Sequence, residues 1–436
     1  MSGALWILCI VFTVLLLFGV PVSFCIGVGT LLALLTVTPS IDAALIVSAQ
    51  RIASSLDSFT LVAIPLFILA GSIMNTGGIA ARLIDLAKVL VGWLPGSLAQ
   101  ITVVANALFG AISGSAVASA AAVGSVMSPL QRKAGYNMPI CAAANVASSP
   151  CGLLIPPSGA LIVYSLISGG TPVDVLFVAG YIPGMIMALS AMTWLWILAM
   201  RGDLPREVHR YSLGESLAIS LRALPALAMI VIVMGGIVGG IFTATEAAGV
   251  AAVHTFILGK FFYRSLSWRN LARSILDASV GTAVVMLMVG VSMTMSWLLA
   301  STGSVQAIAN AIIGVSDNPY TLLFMFNVLM LVLGMFLDIT PGLLIFTPIF
   351  LPVAIQLGIS PVHFGIIIVF NLCIGIATPP VGSTLFVTAR VSRVSLAELT
   401  RPLLPMFAFE IAALMLITYV PALSLWLPEL LLGKTG

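Results

Sequence analysis

Charge is what this sequence has least of. Only 7% of its 436 residues are Asp, Glu, Lys or Arg, where a soluble domain carries about a quarter. With 61% apolar residues, that scarcity excludes an ordinary soluble domain and defines a polytopic integral membrane protein. The net charge of +3 is too small to imply nucleic acid as a partner; what counts is where the basic residues fall. Cysteine is also sparse. Cys9, Cys25, Cys141, Cys151 and Cys373 lie in apolar stretches without C-x-x-C or Cys/His spacing, which excludes a zinc site or a disulfide framework and leaves packing roles. His209, His254 and His363 have no Ser or Cys arrangement around them, so hydrolytic chemistry is not expected and the chain does not read as an enzyme. The first apolar run, residues 4 to 18, lacks a basic n-region and a small-residue cleavage site, so a retained helix is expected there.

What is present is a series of long apolar runs. A crossing helix needs about 20 apolar residues, and the pattern predicts crossings near 4–20, 22–38, 60–75, 137–168, 174–200, 219–242, 244–263, 277–300, 361–389 and 402–427. Residues 41–59 and 265–277 instead alternate apolar and charged faces at helical spacing, as helices lying in the membrane interface do. Two stretches, 97–130 and 319–357, each consist of two short arms meeting at a polar break, Ser113 to Ser115 in one and Asp338 to Pro341 in the other. Arms of about 15 residues are short for a crossing, so both are expected to be re-entrant hairpins. With ten crossings and two hairpins, 15 of the 17 basic residues fall on one face, and only Arg51 and Lys434 on the other. The positive-inside rule then places both termini outside, on the periplasmic side, and the 201–222 loop in the cytoplasm.

The chain also repeats itself. Shifting by 223 positions superimposes Pro129 on Pro352, Gly152 on Gly375, Pro156 and Pro157 on Pro379 and Pro380, and Gly159 on Gly382. Three coincident proline pairs compare with roughly 0.2 from composition alone. Residues 1–218 and 219–436 therefore read as two repeats, each with five crossings and one hairpin. An odd number of crossings inverts the second repeat, so the hairpins open to opposite sides and their tips meet near the midplane beside the two Pro-Pro breaks. This is the layout of a secondary transporter, whose sites form where discontinuous helices expose backbone carbonyls and helix N-termini.

The stretches "NALFGAISGSAVASAAAVGSVMSPLQRKAGY" and "SSPCGLLIPPSGALIVYSLISG", with "GMFLDITPGLLIFTPIFLP" and "IGIATPPVGSTLFV", resemble the large membrane subunit of tripartite ATP-independent periplasmic (TRAP) transporters over essentially the whole chain. The resemblance implies an elevator-type all-α transporter fold in the inner membrane and sodium-coupled uptake. It also implies a small four-helix membrane partner, here a separate chain since the first repeat begins at Ala4, and a periplasmic substrate-binding protein. The solute class it implies is small organic acids bearing a carboxylate. No cofactor is expected beyond sodium as coupling ion.

Sodium needs five or six hard oxygens, and helix breaks supply carbonyls without burying formal charge. The expected ligands are Ser113, Gly114, Ser115, Ser149, Gly152 and Pro156 in the first repeat, and Gly334, Asp338, Thr340, Ala377, Thr378 and Pro380 in the second. Asp338 has two readings, an ion ligand and a cap of the second hairpin arm. For the solute, the free N–H groups of helix ends suit a carboxylate, and Ser115, Pro157, Ser158, Thr340, Val381, Gly382 and Ser383 are the candidates. Asn106, Asn145, Asn327 and Asn371 are expected to join helices by hydrogen bonds, Glu246 and Glu410 to be structural, and "GGIVGG" (Gly235 to Gly240) to mark close helix packing. The transport domain is expected to comprise hairpins and broken helices, with the remaining helices as scaffold. The competing reading is a stand-alone ion- or proton-coupled anion carrier or antiporter of the same fold.

Overall fold

A computed structural model describes residues 3–205, 208, 211–316, 318–379 and 381–433, the side chains of Ala309 and Ile313 excepted. Pro380, His209, Arg206, Arg210 and Lys434 thus lie outside the described residues. Among those described the chain is all-α, and each half contains one helical hairpin followed by one broken helix pair. The first half comprises α1 (Gly3–Leu17), α2 (Val22–Leu34), α3 (Ile41–Leu56), α4 (Ala63–Thr76) and α5 (Ile79–Val91). It continues with the hairpin α6 (Ser97–Ser113) and α7 (Ala116–Lys133), the broken pair α8 (Met138–Ser148) and α9 (Gly159–Ile167), and α10 (Val173–Arg201). The second comprises α11 (Leu213–Val238), α12 (Ala244–Ile257), α13 (Trp268–Ser301) and α14 (Ser304–Ile313). The hairpin α15 (Pro319–Gly334) and α16 (Ile339–Gln356) follows, then the broken pair α17 (Pro361–Gly375) and α18 (Ser383–Ser392), α19 (Leu396–Tyr419) and α20 (Ala422–Leu432).

Local sequence explains many of these boundaries. Capping boxes open α11, α12 and α19, where Ser212, Thr243 and Ser395 exchange hydrogen bonds with Glu215, Glu246 and Glu398, so Glu246 is structural as expected. Gly78 (φ 68°) and Gly303 (φ 65°) take the left-handed conformation that turns α4 into α5 and α13 into α14, a turn that side chains resist. At 13 residues, α5 reaches only about 20 Å and packs along α6 of the hairpin.

Three boundaries differ from the sequence reading. Residues 265–277 do not form a separate interfacial helix: α13 is a single helix of 34 residues, because nothing near Asp277 caps or breaks it, whereas Asp57 and Ser58 and a 3-10 turn, Phe59–Val62, separate α3 from α4. The crossing expected at 402–427 ends at Tyr419; Pro421 has no N–H to continue the ladder, and α20 restarts beyond it. In the second hairpin the break falls at residues 335–338, so Thr340 and Pro341 belong to the first turn of α16. At 18 residues α16 is long enough to span about 27 Å; its tip nevertheless reaches a shared interior cavity with the tip of the first hairpin.

Packing divides the helices into two bodies. α1 to α4 and α11 to α14 pack on one another, with α12 and α13 both against α4, and the two hairpins, both broken pairs, α10, α19 and α20 form the other set. α5 and α14 bridge the two sets: α5 is held against α11 and α6, and α14 against α13 and α16. Sequence alone had grouped α10 and the last helix with the scaffold. Their position follows from Gly180 and Gly184 of α10, one turn apart, where a β-carbon would lie 2.2 Å from Leu154 O and 2.5 Å from Ile155 respectively. These are the small residues that let α10 sit on the first broken helix. The "GGIVGG" expectation is corrected in the same way: Gly235 and Gly240 meet nothing within 4 Å, and Gly236 packs against Phe242 of its own turn.

Candidate functional site

Each hairpin meets its broken helix backbone to backbone. A β-carbon on Gly152 would lie 2.1 Å from the Gly110 carbonyl carbon, and one on Gly375 would lie 2.8 Å from that of Gly334. Only glycine pairs permit this approach, and they occupy equivalent places in the two repeats. Amide networks lock the same joints. Asn106 Nδ2 donates to Asn145 Oδ1 and Ser148 Oγ, both at 2.8 Å, and Ser119 Oγ donates to Asn106 Oδ1 at 2.8 Å. In the other repeat Asn371 Nδ2 donates to Asn327 Oδ1 at 2.7 Å, and Asn327 Nδ2 to Thr418 Oγ1 at 3.0 Å. The asparagines therefore do join helices. His363 adds a further tie, lying 3.2 Å from Ser424 Oγ and 3.3 Å from Thr418 O.

The two tips converge on one cavity of about 520 Å³. Ser113, Gly114 and Ser115 line it from the first hairpin, Asp338 and Thr340 from the second, and Gly159 and Ala160 from the start of α9. Its opposite wall comes from the other body: Ser72 and Asn75 of α4, and Asp277 and Gly281 of α13. The bodies touch closely beside the first tip, where a β-carbon on Gly71 would lie 2.3 Å from Ser113 O. Asp277 and Asn75 escaped the sequence reading. The signal was available, since a lone carboxylate in an apolar run marks a functional position by default.

The helix breaks provide both caps and unpaired oxygens. Ser115 Oγ accepts from Ala118 N at 3.3 Å to start α7, and Asp338 Oδ1 accepts from Ile339 N at 2.9 Å to start α16. Asp338 thus performs the capping role while its side chain stays open to the cavity. Ser149 and Gly152 sit in a buried 3-10 turn, Ser149–Leu153, and Gly334 is buried against Gly375. Ser158 is committed elsewhere: it caps α9 by accepting from Leu161 N and donates to Leu153 O. Thr378 Oγ1 donates to Ile374 O at 2.7 Å. Ser149, Gly152, Pro156, Pro157, Ser158, Ala377, Thr378, Val381, Gly382 and Ser383 do not line the cavity, which Leu153 and Ile376 reach from the same breaks. Among the described residues, Ser113 Oγ, Ser383 Oγ and Asn371 Oδ1 are buried without a hydrogen-bond partner. Buried hydroxyl and amide oxygens of this kind are hard donors that suit a monovalent or divalent hard cation.

Glu410 is the other group in need of explanation. It lies midway along α19, is fully buried, and neither carboxyl oxygen has a partner among the described residues. An ionised, unpaired carboxylate in such a place costs several kcal/mol, and an amide of nearly the same shape puts no charge there. Glu410→Gln is therefore expected to change stability by less than about 1 kcal/mol and leave the melting temperature of the purified protein nearly unmoved. A collapse of that temperature would show instead that the charge is needed.

Two helical hairpins and two broken helices around a central cavity define an all-α polytopic membrane protein of the transporter class. The fold is similar to the crystal structure of the Alcanivorax borkumensis YdaH transporter, with a TM-score of 0.60, 14% identity and 88% of each chain covered. Residues 9–423 match the family described as tripartite ATP-independent periplasmic transporter, DctM component. The chain is 51% identical over 419 residues to YgiK of Salmonella typhimurium, covering 96% of both. It is 36% identical to the C4-dicarboxylate TRAP transporter large permease protein DctM of Rhodobacter capsulatus, covering 96% of this chain and 97% of the other. The chain belongs to the DctM family, the large permease subunits of TRAP transporters. It is accordingly a multi-pass inner-membrane transport protein and not an enzyme, of a family that works with a small membrane subunit and a substrate-binding protein.

Proposed function

We propose that this permease drives sodium-coupled uptake of a small solute bearing a carboxylate, delivered by a periplasmic binding protein and assisted by a four-helix membrane subunit. The observation that carries this reading is the meeting of both hairpin tips at one cavity walled by the other body. Sodium is held at the breaks by oxygens of Ser113, Gly114, Ser115, Ser149, Gly152 and Pro156 in one repeat and of Gly334, Asp338, Thr340, Ala377, Thr378 and Pro380 in the other. The unpaired oxygens of Ser113, Asn371 and Ser383 support such sites. Of the solute candidates, Ser115 and Thr340 line the cavity, while Pro157, Ser158, Val381, Gly382 and Ser383 belong to the two helix breaks, whose N-termini suit a carboxylate. Among the described residues no Lys, Arg or His lines the cavity, so an anion is balanced by sodium and helix dipoles. The hairpins, broken helices, α10, α19 and α20 move together against the remaining helices, with α5 and α14 as the links, and both termini lie on the periplasmic side.

Reconstitution tests the reading. In vesicles holding this chain and its small membrane partner, uptake is expected only with the binding protein outside and an inward sodium gradient. Transport by the chain alone, driven by a pH gradient without sodium, would establish the stand-alone carrier instead.

A further inference from the structure

A second cleft lies away from the central cavity, where the last turn of α5 meets the base of the first hairpin. It has a volume of about 360 Å³ and is lined by Lys88, Leu98, Ile101, Leu130, Lys133 and Tyr211 among others. Lys88 comes from α5 and Lys133 ends α7, so two ammonium groups from different elements stand over an apolar floor. Lys88 pairs with Asp85 at 2.7 Å; among the described residues no carboxylate pairs with Lys133. The balance of these three groups is therefore one positive charge. Leu130 of the cleft lining is 36% exposed, and at the end of α5 Leu90 and Trp93 are 48% and 58% exposed. Trp93 donates its indole N–H to Leu90 O at 2.8 Å, so its apolar rim is free to face the membrane. An exposed Trp beside lysines at a helix end marks the level of the lipid headgroups.

We infer that this cleft binds an anionic phospholipid, its phosphate between Lys88 and Lys133 and its acyl chains along the apolar floor of Leu98, Ile101 and Leu130. The charge matches one anionic headgroup, and basic pockets between helices at this level are the general form of such sites. A free phosphate ion would gain nothing from the apolar floor and the membrane-facing rim. The location gives the lipid consequence, because the cleft lies between α5 and the first hairpin and α5 packs on both bodies of the molecule. The binding site itself does not depend on the cargo or the coupling ion.

Native mass spectrometry of the purified full chain, titrated with phosphatidylglycerol or phosphatidylcholine, tests this. One phosphatidylglycerol per chain is expected to bind more tightly than phosphatidylcholine. Near the headgroup each lysine is worth about 1 kcal/mol, so Lys88→Gln with Lys133→Gln is expected to weaken retention about 30-fold, while Arg269→Gln, on α13, leaves it unchanged. Should the double variant fold poorly, Lys133→Gln alone, exposed and unpaired with any described residue, is expected to weaken it about 5-fold. Equal retention of the two lipids, or no loss in the variants, overturns the inference. So does full displacement of phosphatidylglycerol by inorganic phosphate, which would make the cleft a simple anion site.

Discussion

Gly152→Ala is expected to abolish transport, with uptake falling more than about 100-fold and the folded protein losing 3 kcal/mol or more. The added methyl would stand 2.1 Å from the Gly110 carbonyl carbon, 2.2 Å from its Cα and 2.4 Å from Ala111 N. All three are backbone atoms, so no rotamer change relieves the clash, and α6 must be driven off the 3-10 turn that holds Ser149 and Gly152. Gly375→Ala at the equivalent joint meets Gly334 backbone at 2.8 to 2.9 Å and is expected to be the milder of the two. Melting temperatures and uptake rates of both variants decide the matter. If Gly152→Ala kept wild-type values, the tight joint between hairpin and broken helix would not be a requirement of the fold.

Asp338→Asn is expected to raise the sodium concentration needed for half-maximal uptake by about 10-fold to 100-fold while leaving the protein folded. The two roles of the side chain separate cleanly in this substitution. Asparagine caps a helix about as well as aspartate, so the bond accepted from Ile339 N at 2.9 Å survives and α16 still starts where it does. What is lost is the negative charge facing the cavity, and an interaction of a charged group is worth about 1.5–3 kcal/mol. Sodium titration of uptake measures the effect, with sodium-dependent thermal stabilisation as an independent readout. Unchanged sodium activation with an unchanged melting curve would remove Asp338 from the ion site and leave it a cap.

The element plan was largely legible because its signals are local. Proline at matched positions announced both broken pairs, Ser113–Gly114–Ser115 and Asp338 announced the hairpin tips, and S-x-x-E or T-x-x-E patterns opened three helices. The continuity of α13 was missed since an amphipathic start and an apolar continuation look like two elements when each window is judged alone. The crossing expected at 402–427 ran through Pro421, where the helix in fact ends. Of the cavity lining, Ser113, Gly114, Ser115, Asp338 and Thr340 of the hairpin tips were named from the chain, whereas Ser72, Asn75 and Asp277 were not. These belong to helices that reach the cavity only through packing between bodies.

Composition and periodicity by themselves determined that the chain lives in a membrane, that it is built twice, and where its helices are interrupted, because each of these follows from hydration and backbone hydrogen bonding along a short stretch. Which helices pack together was decided only in three dimensions. In a bilayer, lipid-facing and protein-facing residues are equally apolar, so hydrophobicity cannot sort them; glycine positions such as 180, 184, 110 and 152 do so through backbone contacts that exist only once the helices have met.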